Sequence, residues 1–427
     1  MAQDGITAAT LPSDIDGRRA WIRLGAALAI GAIGSTGMWS VAVTIPYVQS
    51  DFAVSRQMAS LPYTLAMIGF GVGGVAMGRV TDRFGVIVSI LIGVALLGAG
   101  YIAAGLAQTM TQYIVAYGIL IGLGTSSMFA PLMADISHWF RKRRGMAVSI
   151  CACGNYLAGT IWPPVLQYFM ETQGWRATHI GYGLFCLVSM PLLALFFRTR
   201  APVDPQAQAH AAAWRPVPMG VSPGMLQVLL VIAGVACCVA MSMPQVHIVA
   251  YCGDLGYGPA RGAQMLSLML GLGVVSRLIS GIVADRIGSL ATLMLGSLLQ
   301  GVALMLYLPF DGLVSLFLIS GLFGLFQGGI VPMYALIVRD YFSPKEAGAR
   351  VGLVIMATLF GMSFGGWVSG AIYDWTGSYH AAFVNGIVWN LVNVSIVAFL
   401  MWSRRGSRGI GTGQSEDAAA LSGPARA

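Results

Sequence analysis

Apolar residues in this chain come in long unbroken runs, separated by short polar stretches rich in Arg, Asp and Gly. Twelve such runs stand out, at 22–46, 59–79, 86–107, 112–134, 146–170, 178–198, 224–251, 262–283, 289–309, 313–338, 351–373 and 382–402. About 20 apolar residues, as a helix, cross the hydrocarbon core of a bilayer. A membrane-spanning barrel needs short strands of alternating character, and these runs do not alternate. The pattern therefore predicts an all-α integral membrane protein with twelve transmembrane helices. Six runs precede the Pro- and Ala-rich stretch RTRAPVDPQAQAHAAAWRPVPMGVSPG and six follow it. The expected organisation is an N-terminal tail (1–20), a first six-helix half (21–199), a linker (200–223), a second six-helix half (224–403) and a disordered tail (404–427).

Composition supports this. The chain is 57% hydrophobic and 9% charged, where a soluble protein carries about 25% charged residues. A soluble fold of this length has too large a surface to be covered by so few polar groups. The 56 glycines suit close helix packing within a bilayer. The first 19 residues are polar and contain no apolar core for a cleavable signal, so the first helix is expected to direct insertion. The six cysteines form no CxxC pair and fall in or beside apolar runs, as small hydrophobes do.

The net charge of +8 is explained by where the cations lie, and no nucleic-acid partner is inferred from it. With the N-terminus in the cytoplasm, 20 of the 24 Lys and Arg fall on the cytoplasmic side. Arg56, Arg176 and Arg261 fall outside, and Arg277 belongs to neither side. This bias predicts two cytoplasmic termini and insertion in a plasma membrane, the inner membrane in a bacterium. The run RKRR at 141–144 reads as a topological anchor touching anionic lipid, and Asp135 as a companion to it.

One octet is written twice: GRVTDRFG at 78–85 and GIVADRIG at 281–288, 203 positions apart. Asp51 and Asp254 are separated by the same 203, each 31 residues before the Asp of its octet. The chain is thus an internal repeat of two six-helix units in the same orientation, a transporter architecture. The octet, GxxxDRxG in its general form, resembles the signature of the major facilitator superfamily. WFRKRRGMAVSICACGNYLAG, PPVLQYFMETQGWRA, VHIVAYCGDLG and SRLISGIVADRIG resemble the monocarboxylate-porter branch and its bacterial oxalate/formate-like relatives. The resemblance covers residues 21–403. It implies the major facilitator fold in two pseudo-symmetric halves and a secondary carrier working by alternating access.

The octets (Gly78, Asp82, Arg83, Gly85; Gly281, Asp285, Arg286, Gly288) place a carboxylate and a cation in a tight turn. There the carboxylate can meet a helix N-terminus or a basic residue. Such contacts suit a gate between two packings of similar energy; a plain topological turn is the alternative. Arg277 lies eight residues before Asp285, about 12 Å above the turn and so near the midplane. An intramembrane cation marks a pathway or a binding site, and a guanidinium suits a carboxylate. The competing role is a structural arginine bonded to backbone carbonyls. In the branch the chain resembles, an arginine on helix 8 binds the substrate carboxylate, and Arg277 matches it. The animal porters of that branch also have a lysine in helix 1 and an aspartate one turn before the helix 8 arginine. Here helix 1 has no lysine, and Gly273 stands one turn before Arg277.

The candidates left for carrying a proton are His247 and Asp254, with an uncharged hydrogen-bonding role for the first and a structural loop cap for the second as the alternatives. Asn155, Gln327, Tyr334 and Ser363 lie at a depth suited to completing a substrate site or to bonding between helices. Pro and Gly in TIWPPV and GGIVPMY mark bending points. No nucleotide-binding loop, zinc spacing or nucleophile elbow appears, so no cofactor, metal or enzymatic activity is expected. The sequence predicts a carrier of a small organic anion, a monocarboxylate, moved with a proton and without an obligate protein partner. Anion exchange of the oxalate/formate kind, uptake of an aromatic acid, and a membrane sensor or receptor are the alternatives.

Overall fold

The computed structural model describes residues 15–199 and 220–421. Residues 1–14 of the N-terminal tail, 200–219 of the linker and 422–427 of the C-terminal tail lie outside the described residues. All regular structure among the described residues is helical.

The first span is two helices, Arg18–Gly34 and Thr36–Asp51, meeting at Ser35. The second and third are Arg56–Phe84 and Val86–Leu106. The fourth is segmented: Met110–Val115, a π-helical stretch Ala116–Ile121, Gly122–Ser126 and Ala130–Trp139. The fifth is Arg144–Gln173, and the sixth Trp175–Ala194 with a 3₁₀ turn at Leu195–Phe197. In the second half come Pro223–Asp254, Pro259–Ile287 and Ser289–Leu306. Then follow a tenth span broken into Leu313–Gln327 and Ile330–Tyr341, and the spans Pro344–Thr376 and His380–Leu421. The last helix runs past residue 404 to Leu421, over part of the stretch that the sequence suggests is a disordered tail.

Eleven of these spans are long and apolar enough to cross a membrane. The fifth falls short of the expected twelve on hydropathy, not on length. Its 30 residues reach about 45 Å at 1.5 Å each. Asn155, Tyr156 and Gln167 lower its apolar character, and all three are buried. It packs between the first span and the eighth, so those polar groups face protein.

The repeated octet has a backbone reason. Gly85 ends the second span and opens the third at φ 91°, ψ 161°; Gly288 does the same between the eighth and ninth at φ 88°, ψ 156°. Only glycine adopts this region without strain. One residue thus reverses the chain between two helices.

The halves meet along three seams: the second span on the eleventh, the fifth on the eighth, and Thr36–Asp51 on the seventh. Small residues let helices approach closely. A Cβ on Gly324 would sit 1.9 Å from the Met269 carbonyl oxygen, and one on Gly328 2.4 Å from that of Gly273. The tenth span therefore lies backbone to backbone against the eighth at its own break. Asp135, expected beside RKRR, instead forms a buried two-point ion pair with Arg23, at 2.6 and 2.8 Å. Arg23 enters the first helix one turn from its start and stacks between Trp139 and Phe197, nearer to Asp135 than the exposed basic loop.

Candidate substrate path and gate

We call the end of the bundle that carries both described chain ends the terminal face, and the opposite end the distal face. At the distal face a single arginine ties the halves together. Arg56 starts the second span and Asp254 ends the seventh. They pair in a fork, Nη1 to Oδ2 at 2.9 Å and Nη2 to Oδ1 at 3.1 Å. Nη1 also donates to the Tyr379 hydroxyl at 2.8 Å and Nε to Gln49 at 2.6 Å. The guanidinium lies over the Tyr373 ring, 4.4 Å from its centroid. Asp374, from the second half, accepts from the backbone N–H groups of Arg56 and Gln57 at 2.9 and 2.7 Å. It thus caps a helix of the first half, where free N–H groups and the helix dipole favour an anion.

This cluster continues into the bundle with a fixed sense. A carbonyl can only accept, so the 2.8 Å contact between His247 Nε2 and the Gly366 oxygen puts the proton on Nε2. His247 Nδ1, 3.0 Å from the Tyr379 oxygen, is then free to accept. Arg56 donates to that oxygen, Tyr379 donates to Nδ1, and His247 donates to Gly366. Tyr379 sits in the loop before the last span. Burial raises its pKa above the usual phenol value while Arg56 works in the opposite direction, so its donor proton is kept at neutral pH. This arrangement needs one ring proton, at Nε2, and a proton added at Nδ1 would turn that nitrogen from acceptor to donor and reverse the Tyr379 hydroxyl.

The 203-residue repeat explains why Asp254 looks across to the other half. Its counterpart Asp51 pairs with Arg176 inside the first half. Adding 203 to 176 gives 379, so Tyr379 stands where the repeat would place Asp254's own arginine. Asp254 takes its cation from Arg56 instead.

Within the eighth span, ten residues from its terminal-face end, Arg277 forms no ion pair among the described residues. Nη1 donates to the Ala152 carbonyl of the fifth span at 3.0 Å and Nε to Gly328 at the break in the tenth at 3.4 Å. Its guanidinium lies 4.2 Å from the Tyr156 ring centroid. The Tyr156 hydroxyl donates to Gln327 Oε1 at 3.3 Å, across the halves. Arg277, Tyr156 and Gln327 therefore form one group where the fifth, eighth and tenth spans meet.

The other candidates disperse. Asn155 accepts from the Trp39 indole at 2.8 Å, within the first half. Tyr334 donates to Asn393 at 2.8 Å, within the second. Ser363 and Thr64 exchange hydroxyl-to-carbonyl bonds across the halves, both at 3.1 Å. At the terminal face Asp82 and Asp285 are exposed and form no ion pair among the described residues. A cavity of about 250 Å³ opens beside Asp82, Asp135 and Arg198.

Sequence reasoning counted Arg56 only as a misplaced cation and passed over Tyr379, Asp374, Tyr63 and Gln245. Arg56 had a signal, as one of three basic residues on the sparsely charged side. Tyr379 had another, at the 203 offset from Arg176. Gln245 had its amide in an apolar run.

Sequence profiles of the Major Facilitator Superfamily match residues 27–322 and 274–423. Among curated proteins, monocarboxylate transporter 13 of Bos taurus is 28% identical over 84% of this chain and 82% of its own length. Monocarboxylate transporter 11 of Homo sapiens is 24% identical over 86% and 80%. MFS-type transporter 1 of Ophiocordyceps sp. is 26% identical over 72% and 68%. Among solved structures, a POT family transporter in complex with 5-aminolevulinic acid aligns with a TM-score of 0.67 at 12% identity, over 90% of this chain and 96% of its own. A bacterial homologue of the lysosomal transporter Spinster, inward-facing and occupied, aligns at 0.66 and 13%, over 93% and 96%.

Proposed function

The chain belongs to the Major Facilitator Superfamily, and from that premise we propose that it carries a small organic anion, a monocarboxylate, together with a proton by alternating access. The terminal face is assigned to the cytoplasm on the 20-to-3 distribution of its cations, in a plasma or bacterial inner membrane. The observation that carries the proposal is Arg277, a cation at the seam between the halves that donates to two backbone carbonyls, lies over the Tyr156 ring and has no carboxylate partner among the described residues. Carbonyls leave its charge without a counter-ion, and a carboxylate supplies one with two parallel bonds. The names of the mammalian relatives agree with that substrate class.

Proton movement is assigned to His247 and Asp254. A proton at His247 Nδ1 breaks the donor sequence from Arg56 through Tyr379, and a proton on Asp254 removes the charge that holds Arg56. Either loosens the distal face, so protonation and opening go together. An anion moving alone also works against the membrane potential, at about 2.3 kcal/mol per charge per 100 mV. The test is uptake of radiolabelled monocarboxylates into proteoliposomes, with and without an inward proton gradient. Uptake should accelerate with the gradient and be lost in Arg277→Ala. Uptake indifferent to the gradient, with intact counterflow, would assign exchange instead of symport.

A further inference from the structure

Four buried polar atoms between the halves have no hydrogen-bond partner: the Tyr63 hydroxyl, both amide atoms of Gln245, and Gln327 Nε2. Their side chains are at most 1% exposed. Each such group costs roughly 1–3 kcal/mol when left unpaired, so a bundle that keeps them is expected to pair them in some state. Their positions divide them into two levels. Gln327 belongs with Arg277 and Tyr156. Gln245 is seven residues from Cys238 on the seventh span, hence on the same face and about 10 Å nearer the distal face. Cys238 packs against Gly361 of the eleventh span and lies near both Tyr63 and Tyr156, so this face sits where the eleventh span meets the first half. Tyr63 is seven residues inward from Arg56, and Gln245 nine from Asp254, so both sit about 10–13 Å below the distal clasp. The Trp39 and Tyr156 rings, 6.2 Å apart, are neighbours on the first-half wall. Trp39 also borders Gly159, one turn further toward the distal face.

We propose that Tyr63 and Gln245 form a second, uncharged subsite about 10 Å toward the distal face from Arg277. The ligand it takes is a carboxylate carrying a hydroxyl or carbonyl at its far end. A hydroxyl both donates and accepts, as the Gln245 amide and the Tyr63 hydroxyl do, so one such group satisfies both residues. An acid with no distal polar atom leaves them unpaired and pays for it. This rests on Arg277 as the carboxylate partner, and the two are separable by experiment.

Binding is measured by thermal stabilisation of the purified full chain in lipid nanodiscs, with octanoate and ω-hydroxyoctanoate, which differ only at the far end. Wild type should bind the hydroxy acid about tenfold more tightly, the scale of one or two hydrogen bonds to buried groups. Gln245→Met and Tyr63→Phe should each erase most of that preference while leaving octanoate within about threefold. Neither should lower the melting temperature of the unliganded protein, because each removes an unpaired group. Arg277→Lys should weaken both acids alike; if it weakens neither, the carboxylate assignment fails while the preference measured at Gln245 stands on its own. A wild type that does not prefer the hydroxy acid, or a preference that survives both Gln245→Met and Tyr63→Phe, overturns the second subsite and leaves those atoms to buried water.

Discussion

Arg56 and Arg277 show what decides the role of an arginine inside a membrane bundle. Arg56 has a forked carboxylate, a phenol, an amide and an aromatic face. Arg277 has carbonyls and a ring. Arg277→Lys keeps the charge but loses the planar fork, and is expected to weaken carboxylate binding by 2–5 kcal/mol, roughly 30-fold or more. Calorimetry on the purified variant checks this; affinity within threefold of wild type makes Arg277 a purely structural residue. His247→Gln keeps a donor for Gly366 and cannot be protonated. Its transport should lose the rise seen in wild type as outside pH falls, while counterflow continues. An unaltered pH profile would remove His247 from the proton path. That Arg277 lacks a carboxylate partner among the described residues was legible in the sequence, because no acidic residue lies in the middle of an apolar run. The roles of Asn155 and Tyr334 were not, because a polar residue at the right depth looks the same whether it bonds a neighbouring helix or a ligand. Only the partner, Trp39 in one case and Asn393 in the other, tells them apart.

Among the helices, boundaries were legible wherever a single residue type sets the backbone. Gly85 and Gly288 fall at the ends of the repeated octet because each is the whole link between two spans. Gly85→Ala forces a side chain into a positive-φ conformation and is expected to cost about 1–3 kcal/mol, seen as a lower melting temperature with substrate affinity unchanged. The break at Gly328–Gly329 was legible in the same way, from glycines beside a proline. Asp374 was not, since a carboxylate near the end of the eleventh span gives no hint that it caps the second. Asp374→Asn keeps the shape and removes the charge at that helix start. The expected loss is about 0.5–2 kcal/mol, confined to the closed distal face. Faster hydrogen exchange at the backbone of Gln57, with none at the terminal face, is the measurement to make. Protection lost evenly over both faces would mean that Asp374 supports the whole fold.

The whole molecule is fastened at one end. The distal face is held by the Arg56 fork and the Asp374 cap, whereas the octet carboxylates at the terminal face have no ion-pair partner among the described residues. If the octets close that face in the opposite state, Asp82→Asn and Asp285→Asn should slow turnover severalfold with little change in substrate affinity. Wild-type turnover in both variants would reduce the octet to a turn. This asymmetry was hidden in the sequence for a physical reason: the repeat reports what the halves share, and alternation depends on where they differ.

Position 379 is one such difference, and it makes the conformational preference of the carrier editable. Tyr379→Arg copies the first half's Arg176 into the second half and offers Asp254 a local cation, setting two guanidiniums in competition for one carboxylate. Arg56 would then be left buried beside a like charge, a cost relieved only when the halves part at that end. The single change should therefore convert a protein closed at the distal face into one that rests open there. Spin labels at Met58 and Trp375, exposed on opposite halves, should move apart in the variant, and an unchanged distance would show that the clasp does not set the resting state. A duplicated chain thus holds a template for its other conformation in its own first half, and copying one residue of it gives a handle for capturing the form open at the distal face.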